Sequence, residues 1–108
     1  MERKTVIIVI TTSDSREEMN ALGARLVRER LAACAQVSGP LTSHYVWEGQ
    51  QEESEEWQLR IKTLESLYPE VERRIRELHS YDLPQIVAVP ALHVLDEFRK
   101  WVESAVSP

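Results

Sequence analysis

The sequence predicts an α+β sandwich of order βαββαβ with an additional C-terminal helix. Three observations carry that prediction. Residues 5–12 form an unbroken β-branched run, residues 57–63 alternate strictly between apolar and polar, and three stretches place apolar residues at helical spacing. The run Thr5 to Thr12 reads as a strand buried on both faces, and therefore central in its sheet. Ser13-Asp14-Ser15 breaks it. Ser15 with Glu18 matches a capping box, and Asp14 with Glu17 offers the same one residue earlier. A helix is expected from there to about Arg30, with Met19, Leu22, Leu26 and Val27 as its apolar stripe and Leu31 closing it. Gly23 sits inside it, where glycine costs about 1 kcal/mol relative to alanine. Close packing of the helix on the sheet is a reason to keep it.

Residues 31–37 turn from helix back to strand, and Ser38-Gly39-Pro40 bends the chain, because Pro40 has no N–H for a ladder. A long hairpin follows. Its arms are residues 41–47 and 57–63, and residues 48–56 form a polar tip. Trp57, Leu59 and Ile61 point one way; Gln58, Arg60 and Lys62 point the other. The arms are long for a chain of 108 residues, and Trp47 and Trp57 flank the tip. A hairpin that outreaches its own sheet is expected to cover another copy. Ser66 is placed to cap the next helix, with Pro69 in the first turn and Leu67, Val71, Ile75 and Leu78 inward; Arg73, Arg74, Arg76 and Glu77 face out. Residues 85–89 read as a strand stopped by Pro90. A last helix, Asp96 to Ala105, turns Leu95, Phe98 and Val102 inward, with Trp101 at the margin. This order is the split βαβ pattern of a ferredoxin-like sandwich.

Composition narrows the function. One domain over residues 1–108 is expected from the length. A net charge of −5 argues against binding nucleic-acid phosphates, which requires a basic footprint. The single cysteine, Cys34, allows no intrachain disulfide and suits a reducing cytosol. The apolar run after Met1-Glu2-Arg3-Lys4 is too short for a signal peptide or a membrane span, so a cytoplasmic protein without membrane contact is expected.

No covalent catalytic site is legible, and the three glycines are too scattered for a phosphate loop. Cys34 with His79, His44 or His93 would make a nucleophile pair or a soft copper site; set among Ala32, Ala33 and Ala35, it reads first as a packing residue. His79 ends a helix whose C-terminal dipole favours an imidazolium, and Ser80-Tyr81-Asp82 follows it. That corner reads either as a cation or small-ligand site, or as a histidine C-cap beside a turn tyrosine. The acidic tip can gather divalent cations or simply keep the hairpin solvated. Trp47 and Trp57 can stack a base, or fill cross-strand and intersubunit contacts.

Four stretches resemble the CutA, or divalent-cation tolerance, family. They are Leu26 to Ala35, Thr42 to Gly49, Ile61-Lys62-Thr63, and Glu77 to Pro90 with its His79-Ser80-Tyr81-Asp82-Leu83-Pro84 core. They lie in collinear order over almost the whole chain. The resemblance implies a ferredoxin-like fold, a homotrimer built through long strands that pair between subunits, no enzymatic activity, and tolerance to copper and other divalent cations. It implies His79, Cys34 and Asp82 as candidate metal ligands. The chain departs from the family pattern at Ser80, Asp82 and Gln85, where proline, glutamate and glutamate are common, and at Thr11 and Leu78, where some members carry cysteine and histidine. The trimer also resembles that of the PII signalling proteins. The alternative is therefore a sensor that takes a small anionic metabolite or nucleotide between subunits, with Arg30, Lys62, Tyr81 and Trp47 as contacts. Acyl-phosphate hydrolysis, known on the same fold, would need a Gly-Arg loop and a catalytic Asn that the chain lacks.

Overall fold

The computed structural model describes residues 4–106. Its elements are β1 (Val6–Ser13), α1 (Arg16–Arg28), β2 (Cys34–Trp47), β3 (Gln50–Leu64), a 3₁₀ turn (Glu65–Leu67), α2 (Tyr68–Leu78), β4 (Val87–Pro90) and α3 (Asp96–Ala105). The strands form one antiparallel sheet in the order β2-β3-β1-β4, the ferredoxin-like arrangement with a further helix. β1 is central, as its β-branched run requires. It pairs with β3 from Val6 opposite Leu64 to Ser13 opposite Trp57.

Cross-strand partners share a face. Val9 opposite Ile61 and Thr11 opposite Leu59 are fully buried under the helices, and Met19, Leu22, Leu26, Val71, Ile75 and Val102 complete that core. Gly23 lets α1 lie close to the sheet: a Cβ there would come 3.0 Å from Leu59 Cδ1 and 3.1 Å from Ala35 Cβ. Among the described residues no helix covers the opposite face. Ile8 and Ile10 are half-buried there, beside exposed Val89 and Val87, so β1 is covered fully on one side only.

Sequence and structure part at several places. The hairpin has no polar tip of nine residues: Trp47 pairs with Gln50, and Glu48 and Gly49 alone make the turn, with φ of 50° and 78°. Two consecutive left-handed residues match the twist of a two-residue hairpin, so the glutamates of residues 52–56 become strand. The hairpin draws the molecule out to 50 Å, against 26 and 22 Å across. α1 ends at Arg28, and Arg30 has φ of 61°. Ser66 lies in the 3₁₀ turn and caps nothing; Leu67 occupies the N-cap of α2. Arg74 does not face out: it grips Glu29 of the α1 exit through Nε and Nη2, at 2.9 Å each, and with Arg25 it holds the Glu29 carboxyl down to about 2. Leu78, Leu95, Phe98 and Trp101 are exposed within the chain, while Val102 and Val106 carry α3 into the core.

The cap of α1 is half of what was expected. Ser15 Oγ accepts the Glu18 N–H at 3.1 Å, but the Glu18 carboxylate does not reach back. It accepts instead from the Ser80 N–H at 2.7 Å and the Ser80 hydroxyl at 2.8 Å, tying the start of α1 to the exit of α2. Burial pushes the Glu18 carboxyl up. The bonds from Ser80, a further one from Ser13 and the neighbouring His79 ring outweigh burial, so it sits below the usual 4.5.

Two outcomes are expected. Gly39 has φ of 153°, and a Cβ there would fall 2.6 Å from Trp57 Cδ1. Gly39→Ala is therefore expected to lower stability by about 1–3 kcal/mol in urea unfolding; an unchanged midpoint would refute this packing. A depressed carboxyl stabilises the fold fully above its unfolded value of 4.5 and loses that contribution as pH falls through the lower folded value. Glu18→Gln should thus unfold at lower urea than the parent at neutral pH, with the gap closing at pH below 4.5. A gap independent of pH would show that Glu18 acts through packing alone.

Candidate functional site

The end of β1 and the loop after α2 meet at His79. Its side chain is fully buried. Nε2 lies 2.8 Å from the Thr12 carbonyl, which can only accept, and Nδ1 lies 3.0 Å from the Tyr81 N–H, which can only donate. One neutral tautomer, with the proton on Nε2, satisfies both. The ring thus pins the turn of residues 79–82 to β1, and both nitrogens are in use. Tyr81 packs against it, ring centroids 4.9 Å apart.

Held this way, the Tyr81 hydroxyl donates to Glu56 Oε2 at 2.8 Å. Glu56 is a strand residue only 7% exposed, and among the described residues no lysine, arginine or histidine forms an ion pair with it. Burial, then the bond and charge of Glu56, push the Tyr81 phenol well above its ordinary value, so it stays protonated and donating. Glu56 and Thr12 are the buried members of a cleft of about 700 Å³. Tyr45, Trp47 and Tyr81 supply aromatic wall, and Asp82 is exposed at its side. The two strand aromatics reach this face because of a bulge in β2 between Ser38 and Leu41: Ser38 pairs with Gln58, yet Leu41 pairs with Glu56. Before the bulge, even-numbered β2 residues share the Glu56 face; after it, odd-numbered ones do.

The structure does not gather the expected metal ligands. His79 has no free nitrogen. Cys34 is half-buried at the start of β2, opposite Lys62, four positions along β3 from the Gln58 that faces Thr12; at ~3.3 Å per residue that is about 13 Å. His44 faces Glu53 at 3.5 Å, on the hairpin. Among the described residues no three His, Cys, Asp or Glu side chains are placed to hold a metal ion. Asp82 lines the cleft, and so does His44, one of the histidines that would pair with Cys34.

The residues expected for an anionic ligand separate as well. Trp47 and Tyr81 line the cleft. Arg30 instead donates to the carbonyls of Ser104 and Ala105 at the end of α3, at 3.1 and 3.4 Å, and Lys62 donates to Gln36 at 2.7 Å. Thr12 escaped the sequence reading, and Glu56 entered it only as one of the acids of a supposed solvated tip able to gather cations; a Glu48-Gly49 turn immediately after Trp47 was the signal that would have placed it in a strand. Among the described residues no helix is long and apolar enough to cross a membrane.

Comparison with known proteins agrees with this architecture. The family model described as CutA1 divalent ion tolerance protein matches residues 7–105. The divalent-cation tolerance protein CutA of Thermus thermophilus is 37% identical over 95 residues, covering 88% of this chain and 92% of that protein. The one from Pyrococcus horikoshii is 38% identical over 97 residues, covering 90% and 94%. The crystal structure of CutA1 from Oryza sativa superposes with a TM-score of 0.93 at 28% identity, covering 97% of this chain and 96% of that one. In sequence and in fold, this chain belongs to the CutA1 divalent ion tolerance family.

Proposed function

We propose that the protein is a non-catalytic, trimeric divalent-cation tolerance protein that meets its cation at the carboxylates of the cleft. The observation that carries this reading is Glu56. A buried carboxylate is costly unless a charge or several hydrogen bonds offset it. Glu56 has a neutral phenol as its bonded partner, and Asp82 adds a second negative charge to the same cleft. A cation there balances both. Thr12, Gln85 and His44 also line the cleft, so the available donors are mainly oxygens with one imidazole. Such a set suits an exchangeable divalent ion, whereas copper held tightly calls for several soft ligands. In this reading His79 is a positioning residue that fixes Tyr81, and Cys34 has no part in the site.

The trimer is supported by the uncovered sheet face. Ile8, Ile10, Val87 and Val89 lie there together, apart from the aromatic wall of the cleft. Monomers rarely leave a contiguous apolar surface of this kind in water. Covering it contributes about 25 cal/mol per Å² of apolar area.

Light scattering at micromolar protein is expected to give three times the chain mass of 12.5 kDa; a monomeric mass would refute the assembly. Calorimetric titration with Cu²⁺ and Zn²⁺ is expected to show saturable binding of about one ion per subunit, weakened in Asp82→Asn and unchanged in Cys34→Ser. Loss of binding in Cys34→Ser would move the centre to the thiol. Absence of saturable heat for either ion would mean that tolerance does not act through direct binding.

A further inference from the structure

The geometry points to an organic cation, an alkylammonium or guanidinium group, as the ligand for which the cleft is shaped. This rests on the reading that the cleft carboxylates take cations, and it names which cations. Two features of the cleft go unused by a metal ion, and a third fits an N–H donor. The first is its aromatic wall. Tyr45 and Trp47 are two residues apart on β2, on the face that Glu56 shares, and Tyr81 stands over Glu56 from the loop after α2. Aromatic faces attract cations, most strongly when the cation is desolvated. An ammonium or guanidinium group sheds water readily, whereas a small divalent ion gives up its hydration shell reluctantly and gains little from a ring face.

The second feature is size. A cleft of about 700 Å³ lies in the range that encloses a small organic molecule, far beyond one ion and its ligands. The third is the arrangement of Glu56. Oε2 takes the Tyr81 hydroxyl, which leaves Oε1 without a hydrogen-bond partner among the described residues. An N–H donor seated between the rings would complete it, and Asp82 provides a second acceptor at the side of the cleft. Among the described residues neither lysine nor arginine lines the cleft, so its charge excludes the anionic ligand that a sensor of PII type would take. The occupant is a free small molecule. A side chain from a neighbouring copy presents the same chemistry, and the test separates the two.

The intact protein is titrated with methylammonium chloride and with methylguanidinium chloride, at ionic strength matched by NaCl. Calorimetry and tryptophan fluorescence follow binding, and a parallel titration uses Zn²⁺. Saturable binding of the organic cations at millimolar concentration or below is expected, with no saturable response to NaCl. Glu56→Gln and, separately, Trp47→Leu are each expected to weaken it by about tenfold or more. Trp47 is exposed within the chain, so its variant decides the matter should Glu56→Gln fail to fold. Zn²⁺ binding without organic-cation binding would overturn this inference and leave the cation reading standing; binding of neither would overturn both. Organic-cation binding untouched by both variants would place the ligand elsewhere. A fall in oligomeric mass in Glu56→Gln, with no organic-cation binding to the parent, would assign the cation to a neighbour's side chain and overturn the proposal.

Discussion

Eight consecutive pairs between β1 and β3, from Val6 opposite Leu64 to Ser13 opposite Trp57, set the position of everything else. The register fixes which residues of β3 meet the helices and which meet the open face. Leu59 and Ile61 go to the core with Thr11 and Val9; Gln58 and Arg60 go to the other side with Thr12 and Ile10. It also carries β3 beyond the end of β1, so that Glu56, one residue past the last pair, lies beside the loop that leaves α2. A shift of one residue would exchange the two faces along the whole strand, a cost no local hydrogen bond could offset.

Two poorly accessible carboxylates near that junction have opposite environments. Glu18 receives an N–H and a hydroxyl from Ser80 and lies 3.7 Å from His79 Nδ1. Its charge is spread over several dipoles, and it serves the join between α1 and the α2 exit. Glu56 is more buried as a residue and has one phenol. Glu29 takes bonds from Arg25 and Arg74, and Glu72, like Glu56, takes one from a phenol, that of Tyr68. Glu56 stands apart from both in joining a lone neutral partner to near-complete burial. His79 links the two. It stands near Glu18 on one side and holds Tyr81 toward Glu56 on the other, so a ring without a free nitrogen still determines the shape of the cleft.

The fold was largely legible because its signals are periodic. The β-branched run of β1, the alternation of Trp57 to Ile61 and the stripe through Leu67, Val71 and Ile75 each report a buried face directly. The site was legible only in part. His79, Tyr81 and Asp82 stand together in sequence, and their proximity there hinted at a corner. The partners of His79, Ser80 and Tyr81 are Thr12, Glu18 and Glu56, which come from three other elements, and no local pattern announces a contact across 67, 62 or 25 residues. The expectation of a ligating histidine failed for a related reason: helix-end position shows that a histidine can bond, not what already occupies its nitrogens. The exposed Leu95, Phe98 and Trp101 mark another limit, since helical spacing identifies an apolar face without saying whether its own chain covers it.

The bulge at Ser38-Gly39-Pro40-Leu41 has a consequence for which length changes the hairpin tolerates. It sets two β2 residues, Gly39 and Pro40, against Trp57 alone, so removal of one of them, with the rest of the ladder kept, would restore one-to-one pairing and leave Leu41, Tyr45 and Trp47 on the Glu56 face. Loss of two residues, one from each arm near the turn, would shorten the ladder and leave every remaining side chain on its face. The strand pair is therefore permissive to paired changes at its far end and to loss of the odd residue at its base, whereas an unpaired loss along the regular ladder between them would break its register. Related chains with hairpins of different reach are expected to differ by matched residues beyond the bulge.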